Sequence, residues 1–275
     1  MKSVTLKLGV WRMALEAGRA EGPVSSRGNR FETGFGDWNA AAAAAVGYDA
    51  TAILDRAVAA ARDVRDGRAM FERDTLTFHR REFDHALLAW MLYAGSRGQP
   101  LRVLDFGGAL GSLYYQHRRW LEHLSGFAWG VVEQAHFVAA GRREFETPAL
   151  HFFATAEDCV SQLSPDFLLL SSVLQYLPRP HEILGRLLAG QFPFVLIHRT
   201  MAQRHGPDEI AVQHVDPAIY PASYPLWLLD AVQLEAIFAE YGYEIVDNFD
   251  PYPGSYFGPP GHEAPYQSWF LEKKR

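Results

Sequence analysis

The chain has 275 residues, 48% of them hydrophobic and 21% charged, which is typical of a globular protein that buries a sizeable core. A formal net charge of −6 argues against a nucleic-acid partner or an anionic membrane surface, and no apolar segment approaches the roughly 20 residues of a membrane span. The single cysteine, Cys159, excludes an intramolecular disulfide and a cysteine-rich zinc site, and we expect no metal. Since Lys7 and Arg12 interrupt any apolar N-terminal segment, we expect no secretory signal and a cytoplasmic protein.

The first third of the chain is predicted to contain an extension and a helical cap. Residues 1–36 are weakly periodic, and we expect an N-terminal extension that is partly disordered. From residue 37 to residue 98 the pattern favours helices that form a cap beside a ligand site. Asp37 and Asp49 can each cap a helix, and one helix should end at Gly67. The apolar face of that helix comprises Ile53, Leu54, Ala57, Val58 and Ala61.

A second cap helix is predicted from about Leu76 to Ala94. Its buried stripe comprises Phe83, Leu87, Leu88 and Met91. Asp74 lies just ahead of this pattern and is a candidate N-cap residue. The same aspartate is also a candidate ligand contact, and we count it among the substrate-binding residues.

Residues 99–275 alternate between strands and helices, which predicts an α/β fold with a mostly parallel sheet. The predicted strands are 101–106, 127–133, 149–154, 166–172 and 192–198, and the predicted helices include 111–124, 135–146 and 230–241. Most of these strands are continuous apolar runs, as expected of parallel strands buried on both faces. Strands 243–249 and 266–272 have no helix between them and should form an antiparallel hairpin. The sequence therefore predicts a Rossmann-like fold with seven strands.

The segment 201–229 is too long for a plain connection and is rich in aromatic residues. Loops of this length in compact domains are usually functional or mobile, so we expect a substrate lid. Tyr220 and Tyr224 are the substrate-binding candidates in it.

The first predicted strand of the sheet ends in an aspartate and turns through glycines into a helix. Asp105 is followed by Gly107, Gly108, Ala109 and Gly111. Such a turn lets the backbone approach a ligand and aims helical N–H groups at it. The dinucleotide fingerprint and the P-loop pattern do not fit. An acid at this point repels a pyrophosphate but attracts an ammonium or a sulfonium, and the pattern matches the S-adenosylmethionine signature of Rossmann-like methyltransferases.

Two further acids are candidate cofactor contacts. Glu133 follows the second strand, 28 residues after Asp105, where an acid in doubly wound folds accepts hydrogen bonds from the ribose hydroxyls. Glu157 follows the third strand and could lie near the adenine, although an acid that starts a helix explains its position equally well.

Polar residues follow the fourth and fifth strands, at the sheet edge that faces the ligand crevice in open α/β folds. Ser171 and Ser172 could line the methionine part of the cofactor. Gln175 and Tyr176 could face the sulfonium or the acceptor, and an aromatic face stabilises a cation.

The fifth strand ends in a histidine and an arginine. His198 could remove a proton near neutral pH, and Arg199 could bind a substrate carboxylate. We therefore take Tyr176, Gln175 and His198 as catalytic candidates and Arg199 as a substrate-binding one.

Several of these stretches together resemble a known family. Residues 34–38, 47–49, 71–74, 105–112, 171–177, 198–200 and 219–225 are similar to the bacterial methyltransferase family found in O-antigen and natural-product gene clusters, a branch of the class I S-adenosylmethionine-dependent enzymes. The resemblance covers about residues 34–275 and implies the same fold and S-adenosyl-L-methionine as cofactor. It says little about the acceptor.

The sequence thus predicts a transferase that methylates an oxygen or nitrogen of a small molecule. One alternative keeps the cofactor but attacks its Cγ, which transfers or cyclises the aminocarboxypropyl group and releases methylthioadenosine. A further alternative is a non-catalytic partner protein that retains the cofactor pocket.

Overall fold

A computed structural model describes residues 30–45, 50–97, 100–215, 222–252 and 266–274. In chain order its elements are β1 (Arg30–Thr33), α1 (Trp38–Ala44), α2 (Ala50–Arg65), β2 (Phe71–Arg73), β3 (Leu76–Phe78), α3 (His85–Ser96), β4 (Arg102–Phe106), α4 (Ser112–Leu121), β5 (Ala128–Val132), α5 (Ala135–Glu144), β6 (Leu150–Phe153), α6 (Ala156–Leu163), β7 (Phe167–Ser171), α7 (Pro180–Leu188), β8 (Phe194–Gln203), β9 (Glu209–His214), β10 (Ser223–Asp230), α8 (Ala231–Glu240), β11 (Tyr243–Phe249) and β12 (Tyr266–Lys273). A 3-10 turn, Leu174–Tyr176, follows β7.

The predicted α/β fold with a mostly parallel central sheet is confirmed. Strands β6, β5, β4, β7 and β8 lie side by side and are parallel, and the antiparallel pair β12–β11 continues the sheet from β8. Both faces of these strands are buried, which explains their continuous apolar sequences. In β7, for example, Phe167 and Leu169 pack into one hydrophobic core and Leu168 and Leu170 into the other.

Within the described ranges the sheet has ten strands rather than the predicted seven. The segment 201–229 is not a plain loop there: β8 runs on to Gln203, and β9 and β10 form an antiparallel pair. Strand β10 also pairs in parallel with the end of β8, and β1, in the predicted extension, pairs with β9. The strands of this part bury residues such as Ala211 and Leu226, so apolar packing stabilises them. Residues 1–29 and 216–221 lie outside the described residues, and a lid role stays a prediction.

The first part of the predicted cap agrees with the sequence. Asp37 caps α1, because its Oδ1 accepts a hydrogen bond from the Ala40 backbone N–H at 2.8 Å. In α2 the predicted apolar face is buried except for Leu54, which is half-buried, and the helix ends just before Gly67, whose φ is +76°. Asp49 lies outside the described residues.

The second cap helix begins later than predicted, and Asp74 is not its cap. Residues 71–78 form the hairpin β2–β3, whose turn holds Asp74 and Thr75 at φ of 51° and 68°. The stacked rings of Phe71 and Phe78, with centroids 4.6 Å apart, stabilise this hairpin across its strands. Helix α3 begins at His85, and its cap is Asp84, whose Oδ1 accepts from the Leu87 N–H at 3.1 Å.

No helix within the described ranges is long and apolar enough to cross a membrane.

Candidate functional site

A cavity of about 190 Å³ lies where the carboxyl ends of β4, β7 and β8 meet the cap. Eight of the predicted site residues line it, namely Asp74, Asp105, Gly107, Gly108, Ala109, Ser171, Ser172 and Arg199. The cap contributes Ile53 and Ala57 of α2 and the hairpin residues 72–75, in which Arg73, paired with Glu82, lies between two acids. The structure thus brings half of the predicted site residues together, at the edge of the sheet where open α/β folds bind ligands.

Asp105 is the buried acid of this cavity. Its residue is 1% exposed, and its Oδ2 accepts a hydrogen bond from the Trp129 ring N–H at 3.1 Å. Burial raises the pKa of the Asp105 carboxyl to about 7, and the nearby Glu133 raises it further while Trp129 opposes the change. A cationic ligand in the cavity would therefore find a carboxyl that is ready to ionise.

The turn after Asp105 needs glycine for two different reasons. A Cβ on Gly108 would lie 2.3 Å from Asp105 Oδ2, so this position tolerates no side chain while the acid stays in place. Gly107 has a φ of +77°, and a Cβ there would lie 2.6 Å from the Val173 side chain. Gly111, at φ +86°, begins α4 without a side-chain cap and does not line the cavity. The turn brings bare backbone and a helix N-terminus to the ligand space.

The cap contributes a second acid that we did not predict as a cofactor residue. Glu72, in β2, accepts a short hydrogen bond from the Ser112 hydroxyl at the start of α4. Burial, followed by repulsion from Asp74, raises the pKa of the Glu72 carboxyl to about 7. Glu72 and Ser112 are 40 residues apart in the chain and meet only where the cap packs on the body. No local sequence pattern therefore indicated this contact.

His198 is fully buried and does not line the cavity. Its Nδ1 lies 3.0 Å from the Ser171 hydroxyl, and its Nε2 lies 3.0 Å from Asp84 Oδ2. Burial lowers the pKa of His198, although Asp84 opposes this. Burial also disfavours ionisation of Asp84, but the contact with His198, the Leu87 backbone N–H and the charge of Arg199 together outweigh it and lower the pKa of Asp84. The consistent arrangement is a neutral imidazole whose Nε2 faces an ionised Asp84 at 3.0 Å, although the angle of this contact is outside the range of a hydrogen bond.

The other two catalytic candidates pack beside the cavity without lining it. The Tyr176 hydroxyl donates to Gln213 Oε1 at 3.3 Å, and its ring meets that of Tyr224 edge-on at 5.2 Å. Burial raises the pKa of Tyr176 well above its ordinary value. Gln175 is fully buried, and its amide N–H groups lie near the Ser172 hydroxyl and the Arg199 carbonyl. Its Oε1 has no hydrogen-bond partner within the described part of the chain.

The remaining predicted residues lie farther from the cavity. Glu133 follows β5 as predicted, is half-buried, and accepts a hydrogen bond from the Gln134 backbone N–H. Burial raises the pKa of its carboxyl. Glu157 is exposed in the first turn of α6, where the helix dipole favours an acid. Tyr220 lies outside the described residues.

Backbone strain is concentrated at the cavity. Seven non-glycine residues in the described ranges have a positive φ, and five of them line it: Asp74, Thr75, Ala109, Ser172 and Arg199. Such conformations cost of order 1–3 kcal/mol each and persist where the surrounding structure determines them, commonly at functional sites. The strain independently marks this cavity as the candidate site.

Comparisons with known proteins give structural likeness only. No family model and no curated protein matches the chain. A Clostridium acetobutylicum S-adenosylmethionine-dependent methyltransferase superposes with a TM-score of 0.47 and 8% identity over 70% of this chain and 91% of that one. A Burkholderia thailandensis 1,6-didemethyltoxoflavin-N1-methyltransferase superposes with a TM-score of 0.41 and 17% identity over 84% of this chain and 92% of that one. An amino pentose methyltransferase from Micromonospora echinaspora superposes with a TM-score of 0.43 and 12% identity over 70% of this chain and 90% of that one. At such scores and identities the assignment of activity depends on the site itself.

Proposed function

We propose that this protein binds S-adenosylmethionine and transfers its methyl group to an oxygen or nitrogen of a small molecule. The observation that carries the proposal is the buried Asp105 carboxyl, which lines a cavity beside a turn where Gly108 admits no side chain. A buried acid favours a ligand with a positive charge, and the bare backbone permits close approach. The chain's net charge of −6 argues against a nucleic acid as the acceptor.

The residues present can hold such a cofactor. Asp105 and Glu72 would face its cationic groups, and the N–H groups at the start of α4 are available for its polar atoms. Ser171 and Ser172 line the same space, and we assign the ribose hydroxyls to Glu133 at the adjacent strand end. When bound, the cofactor supplies an electrophilic methyl group. The chain then needs only to exclude water and to hold the acceptor in line with that carbon, about 3–3.5 Å away.

The acceptor would be positioned by residues at the ends of β7 and β8. Arg199 and Asp74 line the cavity, and we keep Tyr224 and Tyr220 as contacts of a larger acceptor. Tyr176, Gln175 and His198 surround this end of the site, and His198 reaches it only through Ser171. Tyr176→Phe and His198→Ala should each slow turnover by about tenfold or more, because general acid–base and positioning effects are of that size.

Product analysis tests the proposal. We would incubate the protein with S-adenosylmethionine, first alone and then with candidate acceptor extracts, and identify the nucleoside product by mass spectrometry. The expected product is S-adenosylhomocysteine, formed only when an acceptor is present and greatly reduced in Asp105→Asn. Asp158→Asn, which changes an exposed aspartate of α6, is the matched control.

Each alternative has its own outcome. Steady release of methylthioadenosine without an acceptor would show that the enzyme attacks Cγ of the cofactor and does not transfer the methyl group. Binding without any product from any extract would favour a non-catalytic partner protein. If calorimetry shows no binding of the cofactor to the intact protein, the proposal fails altogether.

A further inference from the structure

Strand β8 contains an extra residue at the edge of the cavity. Ile197 pairs with Trp269 and Thr200 pairs with Gln267, so His198 and Arg199 together face one residue of β12. That residue is Ser268, and its hydroxyl oxygen accepts a hydrogen bond from the Arg199 backbone N–H at 3.2 Å. Arg199 has a φ of +51°, as expected of a β-bulge that redirects a side chain.

The bulge brings two consecutive side chains to one hydroxyl. In a regular strand neighbouring side chains point to opposite faces of the sheet. Here His198 Nδ1 lies 3.0 Å from the Ser171 hydroxyl, and Arg199 Nε and Nη2 lie 3.3 and 2.9 Å from the same oxygen. This convergence depends on the bulge.

The hydrogen bonds of this cluster have one consistent assignment. Arginine only donates, so both lone pairs of the Ser171 hydroxyl accept from Arg199, and the Ser171 proton goes to His198 Nδ1. The neutral His198 ring then carries its proton on Nε2, facing Asp84. Ser171 has no lone pair left for a ligand proton. The Asp84–His198–Ser171 chain therefore holds the guanidinium rather than conducting protons.

Within the described ranges, two of the five N–H bonds of the Arg199 guanidinium have no protein acceptor. Of its five N–H bonds, two go to Ser171, and Nη1 donates one to the Tyr252 hydroxyl at 3.3 Å. Arg199 lines the cavity, and within the described ranges its side chain makes no ion pair with a carboxylate. A partly buried permanent cation with two unused donors is thus presented to the ligand space.

We propose that Arg199, oriented by the β8 bulge and the Asp84–His198–Ser171 chain, is the carboxylate-binding residue of this cavity. Guanidinium and carboxylate match in geometry and charge. Asp105 and Glu72 line the same cavity, so a ligand that carries a cationic group near its carboxylate, as an amino acid does, fits best. Only the source of the carboxylate rests on the proposed function: it belongs either to the amino-acid end of the cofactor or to the acceptor.

Side-chain NMR of the full chain labelled with ¹⁵N-arginine tests this. The Nε–H signal of Arg199 is assigned by its loss in Arg199→Lys. If Arg199→Lys does not fold, Ser171→Ala gives the assignment instead, because it removes the oxygen that accepts from Arg199 and shifts that signal. Arg204 is the control, since it lies just beyond β8 and bonds to Glu235 and Asn248. Sodium formate and formamide are the probes, titrated at about pH 6, where carboxyls with a pKa of about 7 are largely neutral.

We expect formate, but not formamide, to shift the Arg199 signal while the Arg204 signal stays in place. An absent shift at Arg199, or equal shifts at both arginines, overturns the inference. The titration is then repeated with S-adenosylhomocysteine in excess. Loss of the formate response assigns the carboxylate to the cofactor, and a retained response assigns it to the acceptor. If S-adenosylhomocysteine does not bind, the proposed function fails, but the titration of the free protein still decides the role of Arg199.

Discussion

The cavity has two walls of different construction. In the body wall, Asp105 lies in β4, Ser171 ends β7 and Arg199 lies at the bulge of β8, and sheet hydrogen bonds hold each strand on both sides. The cap wall consists of α2 and the short β2–β3 hairpin, and within the described ranges the two strands of this hairpin pair only with each other. The body wall is therefore part of the sheet, whereas the position of the cap wall depends on side-chain contacts.

Several polar side-chain contacts join the cap to the body near the site, and the Asp84–His198 contact is one of them. Ser112 of α4 donates to Glu72, and the Asp84 backbone N–H donates to His117 Nε2 at 3.1 Å. His117 Nδ1 lies 3.0 Å from the Leu113 carbonyl, so its ring is neutral and carries its proton on Nδ1. Burial lowers the pKa of His117 to about 4, which keeps this tautomer at neutral pH. From the difference between the walls we predict that the body wall keeps its geometry when a ligand binds, whereas the cap wall moves.

The largest effect is expected from a side chain in the body turn. Gly108→Ala places a Cβ 2.3 Å from Asp105 Oδ2, and the acid cannot move freely because it is buried and bonded to Trp129. We expect cofactor affinity to fall by at least about 100-fold, or nearly 3 kcal/mol, with a loss of about 1–3 kcal/mol in the free energy of unfolding. Calorimetry and thermal unfolding measure both. Gly36→Ala is the control, since its Cβ would meet nothing within 4 Å; equal losses in the two variants would contradict the argument.

The next effect compares two acids of the body. Glu133→Ala should weaken cofactor binding by roughly 1.5–3 kcal/mol, the scale of hydrogen bonds to a charged group. Glu157→Ala should change it by less than about twofold, because Glu157 is exposed and Glu133 is half-buried. Titration calorimetry of both variants with S-adenosylmethionine checks this. A larger loss of affinity in Glu157→Ala than in Glu133→Ala would contradict this prediction and would indicate that the adenosine end of the ligand lies near α6.

A pH effect should follow from the buried acids. Both Asp105 and Glu72 have a pKa of about 7, raised by burial from an ordinary value near 4. Neutral acids favour the folded state, so the stability of the ligand-free protein should fall as pH rises from about 4 to about 7. Affinity for the cationic cofactor should change in the opposite sense, rising by up to about tenfold per pH unit below 7 for each acid that must ionise. Asp105→Asn should flatten both dependences, and unchanged curves would exclude Asp105 as their source.

The smallest effect concerns the cap. Because the β2–β3 hairpin lies outside the main sheet, bound S-adenosylmethionine should slow proteolytic cleavage within residues 71–78 by a few-fold, and cleavage of the β9–β10 segment should change less. Gel or mass-spectrometric time courses with and without cofactor measure the ratio. Equal protection of both segments would show that the whole molecule tightens. A fragment of residues 1–98 should not fold alone, since its helices bury their apolar faces against the body.

Local chemistry determined much of this protein from sequence alone. Continuous apolar runs predicted the parallel strands because both faces of the sheet are covered, and the alternation with helices predicted the α/β fold. The turn after Asp105 was readable because a positive φ at Gly107 and a close approach at Gly108 both require glycine. Asp37 and Gly67 marked helix ends for similarly local reasons. Each of these features depends on neighbours along the chain.

Contacts between distant residues were decided only by the tertiary structure. The stretch from Leu76 has the apolar spacing of a helix, yet cross-strand pairing of Phe71 with Phe78 makes a hairpin and leaves Asp84, not Asp74, as the cap. The bulge at Arg199 depends on the register of β12, which lies far along the chain. Glu72 meets Ser112 across 40 residues. Strand register and helix packing depend on the whole core, so no local pattern could bring His198 behind the cavity and Arg199 into its wall.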